Sequence, residues 1–284
     1  MDLNTIFGPG LLNIAGIIPH LPIVLASAVW YKITHLVVGP LLRKLFIPYD
    51  PKNPPTERAV FWWNISMVSI AQSIVNTGVS IYLLWHSEFR EGLTPQERIL
   101  GYHEQTASAL AITVGYFVFH LVQVWCNVDV EGKYMLAHSF ATLFATSIAF
   151  RPLSMHYHGA LAAWEIPNIF LSIQRQLDNL GYRKSRGRLI NRMILLTTYA
   201  IVRLGSGTIV LGRLISDMIV TYKDPHQVRV EHLLPGVGKI GQDQLQLPIV
   251  LAVLQASSVA FLHYQGFTWF TKILRKGDLR SNLS

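Results

Sequence analysis

The chain has 284 residues, of which 51% are hydrophobic and only 14% charged, whereas soluble domains carry about 25% charged residues. Its mean hydropathy is +0.34, and its apolar residues gather into runs of roughly 20, the length that about 30 Å of hydrocarbon demands of a helix. A soluble globular protein is thereby excluded. The net charge of +8 sits between the apolar runs, so lipid headgroups rather than nucleic acid are the expected counter-charges.

The fold class expected is all-α: a polytopic membrane protein with about seven transmembrane helices forming a bundle or barrel around a central polar cavity. The spans are Ile17–Val38, Ala59–Trp85, Ala107–Cys126, Tyr134–Phe150, Gly159–Leu177, Ile190–Val220 and Pro248–Leu274. The first four residues lack the basic region of a signal peptide, so the first segment is read as retained. Residues 1–58 then form an N-terminal helix and loop, 59–275 a six-helix membrane domain and 276–284 a tail. The sixth span is interrupted by Arg203 and by Gly205-Ser206-Gly207. Cys126 is the single cysteine, which rules out an intrachain disulfide and any Cys-rich metal site.

Charge sets the orientation. Loop one (Arg43, Lys44, Lys52, Arg58), loop three (Lys133), loop five (Arg175, Arg183, Lys184, Arg186, Arg188, Arg192) and the tail (Lys272, Arg275, Lys276, Arg280) hold fifteen basic residues. The opposite side holds six (Arg90, Arg98, Arg151, Lys223, Arg229, Lys239), and its second loop is acidic, with Glu88, Glu91, Glu97 and Glu104. The positive-inside rule then puts the C-terminus in the cytosol and the N-terminus in the lumen or outside. Lys32, Arg203 and Arg213 fall within spans. The sequons at Asn64 and Asn282 lie within a span and on the cytosolic side, so neither is expected to be modified.

Polar residues recur within the spans at helical spacing. Ser66, Ser69, Ser73, Asn76 and Ser80 line one face of the second, and Thr106, Thr113, His120 and Asn127 recur every seven in the third. His138, Thr142 and Thr146 follow in the fourth, and His158, Glu165, Asn168, Ser172 and Gln176 share a face of the fifth. Arg203 lies mid-sixth with Arg213 and Asp217 beyond it, and the seventh carries Gln255, Ser258 and His263. The Ser stripe reads first as helix packing. Ionisable residues cost at least ~2.5 kcal/mol at mid-bilayer and belong to bundle interiors or wet cavities. Glu165, Arg203, His120 and His138 therefore point to a shared polar interior, with a structural Glu165–Arg203 pair as the alternative. Histidines 156, 158, 138 and 120 with Glu165 offer metal donors but no metal-type helical spacing, and no metal is expected. Pro167 is expected to kink the helix beside Glu165. Loop five reads as a positive-inside anchor ahead of a lipid-phosphate site.

Five segments resemble one family. Gly115-Tyr116-Phe117-Val118-Phe119-His120 resembles the "GYF-x-YD" stretch of TLC-domain proteins, and Ala137-His138-Ser139-Phe140-Ala141-Thr142 their "HH-x-x-T". Glu165-Ile166-Pro167-Asn168-Ile169-Phe170-Leu171-Ser172 is similar to "E-[LI]-S-T-P-F-L-N". Val202-Arg203 is similar to the "F-x-x-VR" position, and Trp269-Phe270-Thr271-Lys272-Ile273 to "WF-x-KI". The family includes ceramide synthases, a translocon-associated protein and small proteins tied to lipid composition or trafficking, and the chain is nearest to this small, divergent group. The resemblance implies six spans around a cavity, one extra N-terminal span and the endoplasmic reticulum membrane. The chain departs from ceramide synthases in having Ser139 after His138, His120 where they have Asp, and no "HD-x-x-D".

Three functions follow as expectations. The first is a lipid-binding or lipid-sensing protein of lipid homeostasis, with Arg203, Asn168, Thr142, Ser172 and Trp269 lining its cavity. The second is an acyltransferase in which His138 is the base, Glu165 or His120 orients it, Arg203 binds an anionic group, and acyl-CoA is the co-substrate. The third is a receptor or transporter, but no DRY-like triplet, NPxxY or inverted repeat accompanies it. Membrane lipids are the expected partners, nucleic acid is not, no cofactor beyond acyl-CoA is expected, and a homo- or hetero-oligomer stays open.

Overall fold

A computed structural model describes residues 15–47, 54–86, 93–151, 153–224 and 247–281. The helices, in chain order, are α1 (Gly16–Phe46), α2 (Glu57–His86), α3 (Pro95–Leu100), α4 (Glu104–Cys126), α5 (Val128–Glu131), α6 (Lys133–Ser147), α7 (His158–Ala162), α8 (Ile166–Asn179), α9 (Arg186–Lys223) and α10 (Ile249–Ser281). Among the described residues no strand occurs. Within those residues five helices, α1, α2, α4, α9 and α10, are long and apolar enough to cross a membrane. Leu25, Trp30, Ile74, Ile81, Val122, Ile201 and Val253 all lie exposed on their outer faces, a surface wrong for water and right for lipid. Lys52, Glu88, Arg90, Glu91, Arg229, Lys239, the Asn282 sequon and the first four residues lie outside the described residues, as do the side chains of Lys276 and Arg280.

The fourth and fifth expected spans are helical but short. Helix α6 stops at Ser147 and tightens into a 3-10 turn over Ile148–Phe150. The fifth is divided: α7 passes through a 3-10 turn at Ala163–Glu165 before α8 begins. Pro167 sits in the first turn of α8, where its missing N–H has no partner to lose. It therefore starts a helix instead of kinking the middle of one, which corrects the expectation. Length and apolarity alone give five spans rather than seven.

Two of the long helices widen locally. Helix α1 passes through a π-helical turn at Thr34–Val38, just before Pro40, whose ring crowds the carbonyl four residues earlier. Helix α9 does so at Tyr199–Gly205, where the Ser206 hydroxyl donates to the Val202 carbonyl, a back-bond that bends helices. The interruption expected at Arg203 is thus a bulge within one continuous helix.

Packing runs from α1 to α4, α4 to α6, α6 to α10, α10 to α9, α9 to α8 and α8 to α2, and α2 returns to α1 and α4. Close approach of α1 and α4 depends on Gly115, where a Cβ would run into the Val24 carbonyl oxygen and Ser27. The Ser27 hydroxyl donates to the Ile112 carbonyl at 2.7 Å. The Ser stripe of α2 packs helices as expected. Asn76 accepts from the Thr113 hydroxyl at 2.8 Å, Ser80 donates to the Gly159 carbonyl at 2.8 Å, and Ser69 meets Ser172 of α8 at 3.1 Å.

At one end α3 is fixed by a capping box between Thr94 and Glu97. Arg98 then holds Asp217 of α9 with two hydrogen bonds of 2.6 and 2.9 Å, and the Tyr157 hydroxyl donates to the same carboxylate. Asp217 lies one turn beyond Arg213 but is taken by residues distant in sequence.

Candidate functional site

A cavity of about 430 Å³ lies among α2, α4, α6, α8, α9 and α10, within the range of small-molecule sites. Its wall is apolar and aromatic at Trp62, Val68, Tyr116, Phe117, Phe119 and Trp269, with His120, His138, Glu165 and Asn168 set among these side chains. Arg175, Arg188, Arg192 and Lys272 also line it, together with Glu131 and Asp178. Helix–helix geometry brings these groups together from distant segments. The turn from α5 to α6 at Gly132, whose φ of 89° suits glycine, sets Glu131 beside the start of the His138 helix.

The two histidines are oriented by different partners. His138 Nδ1 lies 2.6 Å from the Gln265 side-chain oxygen Oε1, an acceptor only, so Nδ1 carries the proton and Nε2 the lone pair. Ser139 donates its hydroxyl to the Met135 carbonyl at 2.9 Å. It therefore accepts from His120 Nδ1, 2.9 Å away, and His120 also keeps its lone pair on Nε2. The rings stand edge to face with centroids 6.3 Å apart, and His138 packs on Trp269 at 5.1 Å. The orienting group for His138 is thus Gln265, not the expected Glu165 or His120. Gln265 shares a helical face with Trp269 at i,i+4, and that spacing is the signal by which the sequence could have revealed it.

Glu165 and Arg203 do not form an ion pair. Asn168 links them, donating to Glu165 Oε2 at 2.7 Å and accepting from Arg203 at 3.4 Å. The Arg203 guanidinium lies over the rings of Tyr199 (5.5 Å) and Trp269 (5.3 Å), so a buried cation is met mainly by aromatic faces. It stands behind Trp269 rather than in the cavity wall. Two other expected cavity residues also lie elsewhere. Thr142 donates back to the His138 carbonyl at 2.9 Å, and Ser172 bridges to Ser69.

At the basic part of the cavity Arg188 pairs with Asp178 at 2.5 Å, while Arg192 reaches only the Leu274 carbonyl, at 3.4 Å. Burial pushes the Glu131 carboxyl up to about 7, against the opposing pull of Arg175. The arrangement can hold an amphiphile: an apolar body against the aromatic wall and an anionic group against Arg192 and Lys272. Loop five thus supplies cavity residues. Among the described residues no group of three His, Cys, Asp or Glu side chains is placed to hold a metal.

A family model described as the TLC domain matches residues 62–275. The chain is 29% identical over 188 residues to an uncharacterized TLC domain-containing protein of Schizosaccharomyces pombe, a match covering 66% of this chain and 62% of that protein. It thus spans less than two thirds of that relative's length. It is also 22% identical over 268 residues, 91% of this chain and 85% of the relative, to topoisomerase I damage affected protein 4 of Saccharomyces cerevisiae.

Proposed function

Because this chain belongs to the TLC-domain family, which includes membrane proteins of lipid homeostasis, we propose that it binds or senses a lipid in the cavity beside His138. In this reading α6 and the α7–α8 segment also cross the bilayer, giving seven spans. Six of them surround the cavity, with the N-terminus lumenal and the C-terminus cytosolic in the endoplasmic reticulum. The observation that carries it is the make-up of the cavity wall, which combines aromatic rings with Arg192 and Lys272, cations that form no ion pair among the described residues. That is the surface an acyl chain with an anionic head requires. Lipid should co-purify with the protein and be visible by mass spectrometry; a protein isolated without lipid, and refusing added lipid, overturns the reading.

One observation favours a second reading, acyl transfer from acyl-CoA. His138 has Nδ1 tied to Gln265 and Nε2 free to take a proton from an amine or hydroxyl acceptor. Comparative lipidomics of a deletion strain, complemented with wild type or His138→Ala, separates the two. Loss of one lipid product with normal protein abundance identifies the enzyme. An unchanged lipidome with lipid still bound leaves the binding protein.

A further inference from the structure

A second cavity, of about 310 Å³, opens at the other end of α9. Arg192 in the first and Val210 in the second are separated by about 27 Å of helix, at 1.5 Å per residue. Here α2 and the second half of α9 both pack on α7. Gly159 and Ala160 of α7 floor the gap between them because they are small. Leu84 and Ile209 form its two lips, and both are exposed on the lipid-facing surface, so the cavity opens sideways toward lipid.

Among the described residues Arg213 is the only permanent cation in this wall, and Glu97 the only carboxylate. Glu97 accepts from the Thr94 N–H within its capping box. Asp217, one turn from Arg213, is already held by Arg98 and Tyr157. Among the described residues Arg213 makes no hydrogen bond or ion pair, and it is exposed. Depth sharpens the problem. If the helix Arg186–Lys223, about 57 Å long, is centred on about 30 Å of hydrocarbon, Arg213 falls about 2 Å inside the boundary. A guanidinium at that depth snorkels into the headgroup layer, where lipid phosphate is the counter-anion at hand. His156, which also lines the groove, is pushed down to about 4 by burial and by Arg98 and stays neutral at physiological pH.

We propose that this groove is a second lipid site, separate from the His138 cavity, which takes a phosphate-bearing lipid with its phosphate on Arg213 and an acyl chain against Leu84, Ile209 and Val210. The planar guanidinium fork matches the oxygens of a phosphate in bidentate geometry. The depth of Arg213 matches a headgroup reached from within the bilayer rather than a soluble anion. The test is native mass spectrometry of the purified protein with added phosphatidate or with diacylglycerol of the same chains. Wild type should carry one more phosphatidate than Arg213→Gln and bind diacylglycerol at least tenfold more weakly. Lys32→Gln, the same charge change on α1, should behave as wild type. Ala160→Trp, which fills the groove floor without touching charge, should lose the same single equivalent. The proposal is overturned if Arg213→Gln holds as much phosphatidate as wild type, or if diacylglycerol binds equally. It is also overturned if inorganic phosphate displaces the lipid, which would make this a site for soluble anions.

Discussion

His158 and His138 are both buried, yet they sit in opposite kinds of surroundings. His158 faces the Ser154 carbonyl with Nδ1 at 3.1 Å and the Ala145 carbonyl with Nε2 at 3.0 Å. Each of its nitrogens faces a backbone carbonyl, so the neutral ring donates to one of them and turns its remaining lone pair toward the other, leaving neither nitrogen open to a ligand. His138 is held by one nitrogen, through Gln265, and its other nitrogen has no partner among the described residues while the ring lines the cavity. Burial does not distinguish a structural histidine from a working one. The count of nitrogens committed to the protein does.

The largest effect should separate the two residues directly. His158→Ala removes the ring's one N–H bond to a backbone carbonyl and opens a hole in the core, an expected cost of about 2–5 kcal/mol. His138→Ala loses one bond beside an existing cavity and should cost about 1 kcal/mol, while bound lipid or lipid product falls at least tenfold. Thermal unfolding in detergent and lipid mass spectrometry on the same samples check both. Equal destabilisation by the two variants, with lipid loss merely following unfolding, breaks the comparison. Gln265→Leu comes next: it removes the acceptor that fixes the His138 tautomer, at about 1–3 kcal/mol. Gln265→Glu keeps an acceptor and should restore lipid binding or product. If both variants behave alike, Gln265 is only packing.

Much of this was legible in the sequence, and the losses have physical reasons. The long spans stood out because apolar runs of this length have few other uses. His138, His120, Glu165, Asn168 and Trp269 were found because polar and aromatic side chains at helical spacing are conspicuous against apolar helices, and the structure gathers them in one cavity wall. What spacing could not supply was the partner. Asp217 is four residues from Arg213 but is claimed by Arg98, 119 positions away in sequence, and Gln265 reaches His138 across 127 positions. The break between α7 and α8 was likewise signalled by Pro167 but misplaced, since a proline is consistent with either a kink or a first turn. The second cavity left no sequence signal, because the small floor residues Gly159 and Ala160 look like ordinary helix packing.

Arg203 extends the comparison to a cation. Like His138 it is buried and only partly engaged: two aromatic faces and Asn168 meet its guanidinium, while Nε finds no acceptor. Arg203→Lys keeps the charge but loses the planar stack, and should cost about 0.5–2 kcal/mol in thermal unfolding. Trp269 should loosen with it, readable as a shift in tryptophan emission in a Trp269→Phe-referenced spectrum. An unchanged melt and spectrum would mean that the charge alone matters there.

The smallest effect tests the same rule on an acid outside the spans. One carboxyl oxygen of Glu131 is buried without a partner among the described residues, and burial raises this group from 4.5 to about 7. Between those values the unfolded chain is already ionised while the folded protein keeps its proton, so folding releases no charge into the cavity wall but must retain a proton the solvent would take. Stability contributed by Glu131 is therefore full below about pH 4.5, falls as pH rises toward 7 and is level above. Solvent screening at a half-buried group keeps the change under about 1 kcal/mol. Glu131→Gln, always neutral, should flatten that part of the profile, so the difference in melting temperature between the variant and wild type grows from pH 5 to pH 7.5. If the two profiles stay parallel, Glu131 is ionised in the folded protein and Arg175 is a full partner to it. A bare buried atom would then no longer mark the groups that face the cavity.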